Sequence, residues 1–134
     1  MLKVFIDGAS RGNPGSSGIG ILIYSKNILL LKHGEYIGFK NNLESEYIAL
    51  KRGLQLASEY DNEITIFSDS LSTIKKIRKN TRIRKRELKV ISRQIKNLET
   101  RFNNLTYIYI PRRKNFQVDR LANEAIDNYF KYIN

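Results

Sequence analysis

Three β-rich runs open the chain before any helical period begins, and that order restricts the fold more than any other feature. They are Leu2 to Asp7, Gly18 to Tyr24 and Ile28 to Ile37. Gly12-Asn13-Pro14-Gly15 and Ser25-Lys26-Asn27 separate them and have turn composition, with Pro presetting φ and Gly reaching conformations closed to other residues. Strands joined by such short turns pair with their neighbours, so the three form an antiparallel meander. The period then changes. Leu43, Glu46, Tyr47, Leu50, Leu54 and Ala57 recur at helical spacing, which predicts an amphipathic helix from Asn42 to about Tyr60 laid on the sheet. Glu63 to Phe67 reads as a fourth strand, followed by a helix with Leu71, Ile74 and Ile77 inward. Strand, helix and parallel strand make a right-handed crossover, so the fourth strand should lie beside and parallel to the first.

A further helix carries Leu88, Ile91, Ile95, Leu98 and Phe102 on one face and is joined to its predecessor by the basic stretch 80–84. Leu105 to Ile110 is the fifth strand, ended by Pro111; Arg112 to Asn115 is a loop; the last helix runs from about Phe116 to Tyr132. The expected architecture is α/β: a mixed five-stranded sheet, three strands antiparallel and then two parallel, flanked by about four helices in one domain spanning 1–134. At 134 residues and 41% hydrophobic content the chain can bury a real core. It shows neither a long apolar run nor a leader pattern, and it has no cysteine. A reducing, cytoplasmic setting without membrane or disulfides is expected, with no thiolate metal site. One histidine, His33, cannot make a zinc site alone.

Charge narrows the partner. The 24 Lys and Arg against 13 Asp and Glu leave a net +11, the footprint of a protein that meets a polyanion. Much of the excess lies between Lys75 and Arg101, where twelve cations, among them Lys75, Lys79, Arg82, Arg84, Lys85 and Arg86, face only Glu87 and Glu99. Solvated helix faces would account for a milder run. Self-repulsion on this scale favours a nucleic-acid surface.

Against that background four carboxylates stand out. Asp7 ends the first apolar run and Asp69 follows the fourth, so both should emerge at one sheet edge. Glu46 sits on an inward helix face, and an acid there needs a cation, a proton or a buried ion pair. Asp119 lies in the first turn of the last helix, where the helix dipole would favour it in any case, just as Asp69 or Ser70 could simply cap a helix. With neither Cys nor His beside them the ligand set is all oxygen, which selects Mg²⁺ or Mn²⁺. About four negative charges would bind two such ions, the device used for in-line phosphodiester displacement.

The order β-β-β-α-β-α-α-β-α, with Asp7 in Asp-Gly before Gly-Asn-Pro-Gly, Glu46 in Glu-Tyr-Ile-Ala-Leu, Asp69 in Ser-Asp-Ser and Asp119 in Val-Asp-Arg-Leu-Ala-Asn-Glu-Ala, resembles type 1 ribonuclease H over nearly the whole chain. The resemblance implies an endonuclease that cuts the RNA strand of RNA/DNA hybrids with two Mg²⁺ ions held by Asp7, Glu46, Asp69 and Asp119, leaving 3′-hydroxyl and 5′-phosphate ends. It implies minor-groove contacts from Gly8, Ala9, Ser10, Asn13 and Asn42. Double-stranded RNA stays open as a second substrate, and a monomer is expected. Three departures from the family pattern matter. The loop histidine of many bacterial members is absent, and Arg112, seven residues before Asp119, resembles the arginine of a compact subgroup that takes an auxiliary catalytic role; Arg113 beside it stays an alternative. Of two asparagines expected before the catalytic Glu only Asn42 is present, so that contact is missing or supplied by Asn41. The long basic protrusion of some members is missing, and cations of the 80–86 stretch would replace part of its grip. Rival readings are another nuclease of the same superfamily and a binding module without catalysis; the four mutually repelling acids argue against the latter.

Overall fold

The structure, a computed structural model, describes residues 1–79 and 85–133. It contains the expected five-stranded sheet, in the order β3-β2-β1-β4-β5. β1 (Leu2–Gly12), β2 (Gly15–Ser25) and β3 (Ile28–Lys40) form the antiparallel meander, and β4 (Glu63–Ser68) and β5 (Asn104–Tyr109) run parallel to β1. The helices are α1 (Asn42–Ala57), α2 (Leu71–Arg78), α3 (Arg86–Glu99) and α4 (Phe116–Ile133), with a 3₁₀ turn at Arg112–Lys114 where a plain loop was expected. No helix among the described residues is long and apolar enough to cross a membrane.

The first strand departs from expectation in a way that matters. β1 does not end at Asp7 but continues to Gly12, because β2 pairs with it residue for residue as far as Gly12 and Gly15. Its parallel partner is shorter: pairing with β4 runs only from Leu2–Ile64 to Phe5–Phe67. Asp7 is therefore in mid-strand, and it stands at a rim because β4 has stopped. Gly8, Ala9 and Ser10 are strand residues for the same reason, and the Asn13-Pro14 pair alone makes the turn. The apolar alternation that marks a half-buried strand is lost after Asp7, so pattern reading stopped early.

Helix α1 starts where its cap says it should. The Glu44 amide donates to Asn41 Oδ1 at 2.8 Å and the Asn41 amide to Glu44 Oε1 at 3.2 Å, a complete capping box. Asn41 is thus committed to the helix end. The inward face of α1, with Tyr47, Leu50 and Leu54, packs with α3 residues Ile95 and Leu98 on Val4, Ile6, Ile64 and Ile66 of the sheet. Each such buried side chain contributes about 1.5–3 kcal/mol. α4 covers the other face, placing Val118 and Leu121 against Leu22. It comes close enough to need a glycine: a Cβ on Gly20 would lie 2.3 Å from the Val118 carbonyl oxygen. Gly20 is the register partner of Asp7, so this backbone contact sets the start of α4, and Asp119 with it, beside the first acid.

Candidate active site

A cavity of about 600 Å³ opens at the rim where β4 ends, and all four acids line it. Oxygens of Asp7, Glu46 and Asp69 lie within 4.8 Å of one another. Asp119 completes the wall from α4. Each acid arrives on a different element. Glu46 is brought in by a close crossing of α1 over β1, where a Cβ on Gly8 would lie 2.5 Å from the Ser45 carbonyl. The Gly8 amide then donates to Glu46 Oε1 at 3.3 Å. Asp69 follows the last residue of β4, and the next residue, Ser70, caps α2 through the Thr73 amide. The N-cap role falls to Ser70, which leaves the Asp69 carboxylate free to face the cavity.

The electrostatics are those of an anion cluster without enough positive charge. Asp7 is only 4% exposed. Burial first, then the Glu46 and Asp69 charges, push its carboxyl up to about 10. Burial and the Asp69 charge push Glu46 up to about 8. Asp69 is raised as well, mainly by burial, while Asn115 and Arg112 pull it back. Among the described residues Glu46 has no ion-pair partner, so the buried salt bridge that would have explained it away is absent. Its Oε2 is buried with no hydrogen-bond partner. An orphaned carboxylate oxygen among all-oxygen donors fits a hard divalent cation, whose charge would reverse each of these shifts. Asp7, Glu46 and Asp69 form a possible metal site, with Asp119 in reach.

Other residues singled out from sequence divide sharply. Arg112, Gly8, Ala9, Ser10 and Asn42 line the cavity. Asn13 stands one bond behind, its Oδ1 accepting from the Asn42 amide at 3.0 Å. The Ser10 hydroxyl is occupied, donating toward the carbonyls of Lys40 and Gly12 at 2.7 and 2.6 Å. Ser17 joins that network from beneath, with its hydroxyl 2.8 Å from the Gly15 carbonyl oxygen and 2.9 Å from Ser10 Oγ. Lys75, Lys79, Lys85 and Arg86 are exposed outside the cavity lining. Arg82 and Arg84 lie outside the described residues.

Three residues that line the cavity, Ser72, Lys76 and Asn123, and one that stands behind Asp69, Asn115, were not singled out from sequence. Lys76 lines the cavity together with Ser72, and helical spacing held the clue: with Ile74 and Ile77 inward, residues 72 and 76 share one flank while 75 and 79 share another. Asn115, 2% exposed, donates from Nδ2 to the Ile6 carbonyl at 2.9 Å and toward Asp69 Oδ2 at 3.5 Å. Asn123 donates to the Asp119 carbonyl at 3.0 Å from one turn further along α4. Neither asparagine carries a signal that separates it from a loop or surface residue.

A family model described as reverse transcriptase-like matches residues 5–125. Ribonuclease HI of Halobacterium salinarum is 31% identical over 129 residues, covering 95% of this chain and 65% of that protein. Its crystal structure superposes with a TM-score of 0.89, covering 98% of the solved chain. The bifunctional protein Rv2228c of Mycobacterium tuberculosis is 31% identical over 131 residues, covering 94% of this chain and 36% of its own length. LC11-RNase H1, isolated from compost and solved in complex with an RNA/DNA hybrid, gives a TM-score of 0.89 at 30% identity, covering 97% of this chain and 99% of that chain. The chain thus spans about a third of the mycobacterial relative and about two thirds of the halobacterial one.

Proposed function

Because the chain belongs to the type 1 ribonuclease H family, we propose that it is an endonuclease that hydrolyses the RNA strand of RNA/DNA hybrids, leaving 3′-hydroxyl and 5′-phosphate ends. It would act as a cytoplasmic monomer. The observation that carries this reading is the buried, unpartnered Glu46 oxygen among three further carboxylates at one rim of the sheet. The hybrid held by LC11-RNase H1 supports extending that substrate to this chain.

Asp7, Glu46, Asp69 and Asp119 would hold two Mg²⁺ ions, with Mn²⁺ as an alternative. What such a pair supplies when bound is activation of a water and stabilisation of the leaving 3′ oxygen. The chain's own side chains prepare for it. Asp7 and Glu46 give up the protons that burial and mutual repulsion hold on them. The Gly8 amide keeps Glu46 turned to β1, and Asn115 holds Asp69 against the Ile6 carbonyl. Both contacts fix carboxylate positions before substrate arrives, which is where preorganised sites gain rate.

Substrate is gripped from three sides. Arg112, exposed above Asp69, takes a phosphate oxygen and assists the departing product. Lys76 faces the strand from α2. Backbone groups of Gly8 to Ser10 and Asn42 meet the minor groove, where the 2′-hydroxyl distinguishes RNA from DNA. Asn13 works through the Asn42 amide it holds. Lys75, Lys79, Lys85 and Arg86 extend the contact along duplex phosphates, each adding salt-dependent affinity without sequence preference.

The test is cleavage of a hybrid labelled on its RNA strand, with Mg²⁺ and with EDTA, for wild type and Asp7→Asn. Cleavage by the wild type with Mg²⁺ alone, lost in the variant, is the expected result. A wild type that binds the hybrid and leaves it whole would instead make this a binding module.

A further inference from the structure

The face of β1 that carries Asp7 also carries Phe5 and Lys3, two and four residues back along the strand, since side chains alternate with period two. There the sheet is not closed over. Register places Leu22, Phe5, Phe67 and Ile108 in one row across β2, β1, β4 and β5, with Tyr24, Lys3, Thr65 and Thr106 in the next. Phe5 stacks on Phe67 with centroids 4.7 Å apart and planes 14° apart, and Tyr24 meets Phe5 edge-on at 5.9 Å. Phe116, at the start of α4, stands over this row 55% exposed. Between them lies a cavity of about 300 Å³ whose lining includes Lys3, Phe5, Tyr24, Lys114, Phe116 and Gln117, two cations and no carboxylate.

We propose that this aromatic pocket is a second nucleic-acid site, one that takes an unpaired base of a single strand and holds the adjoining phosphates on Lys3 and Lys114. Flat aromatic surfaces bordered by cations bind single strands, because every base has a face to stack and every link a charge to neutralise. The polar groups suit a base edge: Gln117 Oε1 is only loosely held, 3.4 Å from the Tyr24 hydroxyl, and Asn27 is exposed at the rim. The 3₁₀ turn Arg112–Lys114 joins this pocket to the acid cavity, with Arg112 lining one and Lys114 the other. An unpaired tail leaving the acid cavity could cross that turn and seat a base on Phe116. Binding at the pocket does not depend on the acid cavity being a nuclease.

Fluorescence anisotropy of a labelled oligothymidylate in EDTA tests the proposal on the full chain. Phe116→Ala should weaken binding about tenfold. Lys3→Gln with Lys114→Gln should lower the slope of log affinity against log salt by about 1.4, the share of two single-strand phosphates. The double variant alters exposed side chains only, so it stands if the aromatic variant fails to fold. Labelled strand should stay bound when excess blunt RNA/DNA hybrid is added. Full displacement by hybrid, or unchanged affinity in both variants, would place the strand in the acid cavity and overturn the proposal. So would a dimer in sedimentation that Phe116→Ala dissolves, since the pocket would then be an interface between copies.

Discussion

Replacing Asp7 with asparagine should stabilise the metal-free fold while abolishing cleavage. Asp7 lies within 4.8 Å of Glu46 and Asp69, and its carboxyl is raised from 3.8 to about 10, first by burial and then by the Glu46 charge. Its folded pKa therefore lies above the unfolded one. Between the two values the unfolded chain releases a proton that the folded chain keeps, so stability falls as pH rises. At 1.36 kcal/mol per unit the loss is about 1 kcal/mol at pH 4.5 and at most about 6 kcal/mol at pH 8. A second route gives a smaller figure: at 4.8 Å, the widest separation in the cluster, a single like charge at an effective dielectric of 20 repels by about 3 kcal/mol. The smaller figure is the better guide, since side chains relax and water enters a cavity of this size. Asparagine keeps the shape without the charge, so Asp7→Asn should gain about 3 kcal/mol at pH 8, raising Tm by about 10 °C. At pH 4.5 the gain should shrink to about 1 kcal/mol. Thermal unfolding by circular dichroism in EDTA reads both. Mg²⁺ should raise the wild-type Tm, because a ligand of the native state alone stabilises it, and should move the variant far less. A variant less stable than wild type at pH 8 in EDTA would refute the reasoning.

Three further changes probe the supports of the site. Gly8→Ala drives a Cβ to 2.5 Å from the Ser45 carbonyl, so α1 must shift; about 1–3 kcal/mol of stability in urea titrations and about a hundredfold in cleavage rate should go with it. Asn115→Ala orphans the Ile6 carbonyl and frees Asp69; about 1–3 kcal/mol should be lost, and single-turnover rates should fall at saturating Mg²⁺ as well as below it. Arg112→Ala removes an exposed cation; Tm should hold while kcat drops about tenfold, and Arg112→Lys should restore only part of it, since a point charge lacks the fork of the guanidinium.

Legibility in the sequence followed physical periodicity. The meander, the crossover and α1 could be read because turns, period two and period 3.6 all pointed the same way. Glu46 betrayed itself as a charge on an apolar stripe. β1 was read five residues short, since beyond Asp7 it keeps β2 as a partner but loses β4, and its alternation of apolar residues stops with the core. Lys76 was missed among identical neighbours because charge runs carry no phase unless they are set against the inward Ile74 and Ile77. Asn115 was invisible for another reason. Its value comes from a carbonyl 109 residues away, and no local pattern encodes that meeting.

Four acids gathered at one rim of a basic fold should make the chain a metal-dependent cutter of RNA paired with DNA. Incubating the chain with labelled RNA/DNA hybrid, double-stranded RNA and double-stranded DNA, with and without Mg²⁺, tests it most directly. Scission of the RNA strand of the hybrid is expected only when metal is present, with 3′-hydroxyl and 5′-phosphate ends, and double-stranded DNA should stay intact. Hybrid that is bound yet uncut at every Mg²⁺ and Mn²⁺ concentration would contradict it.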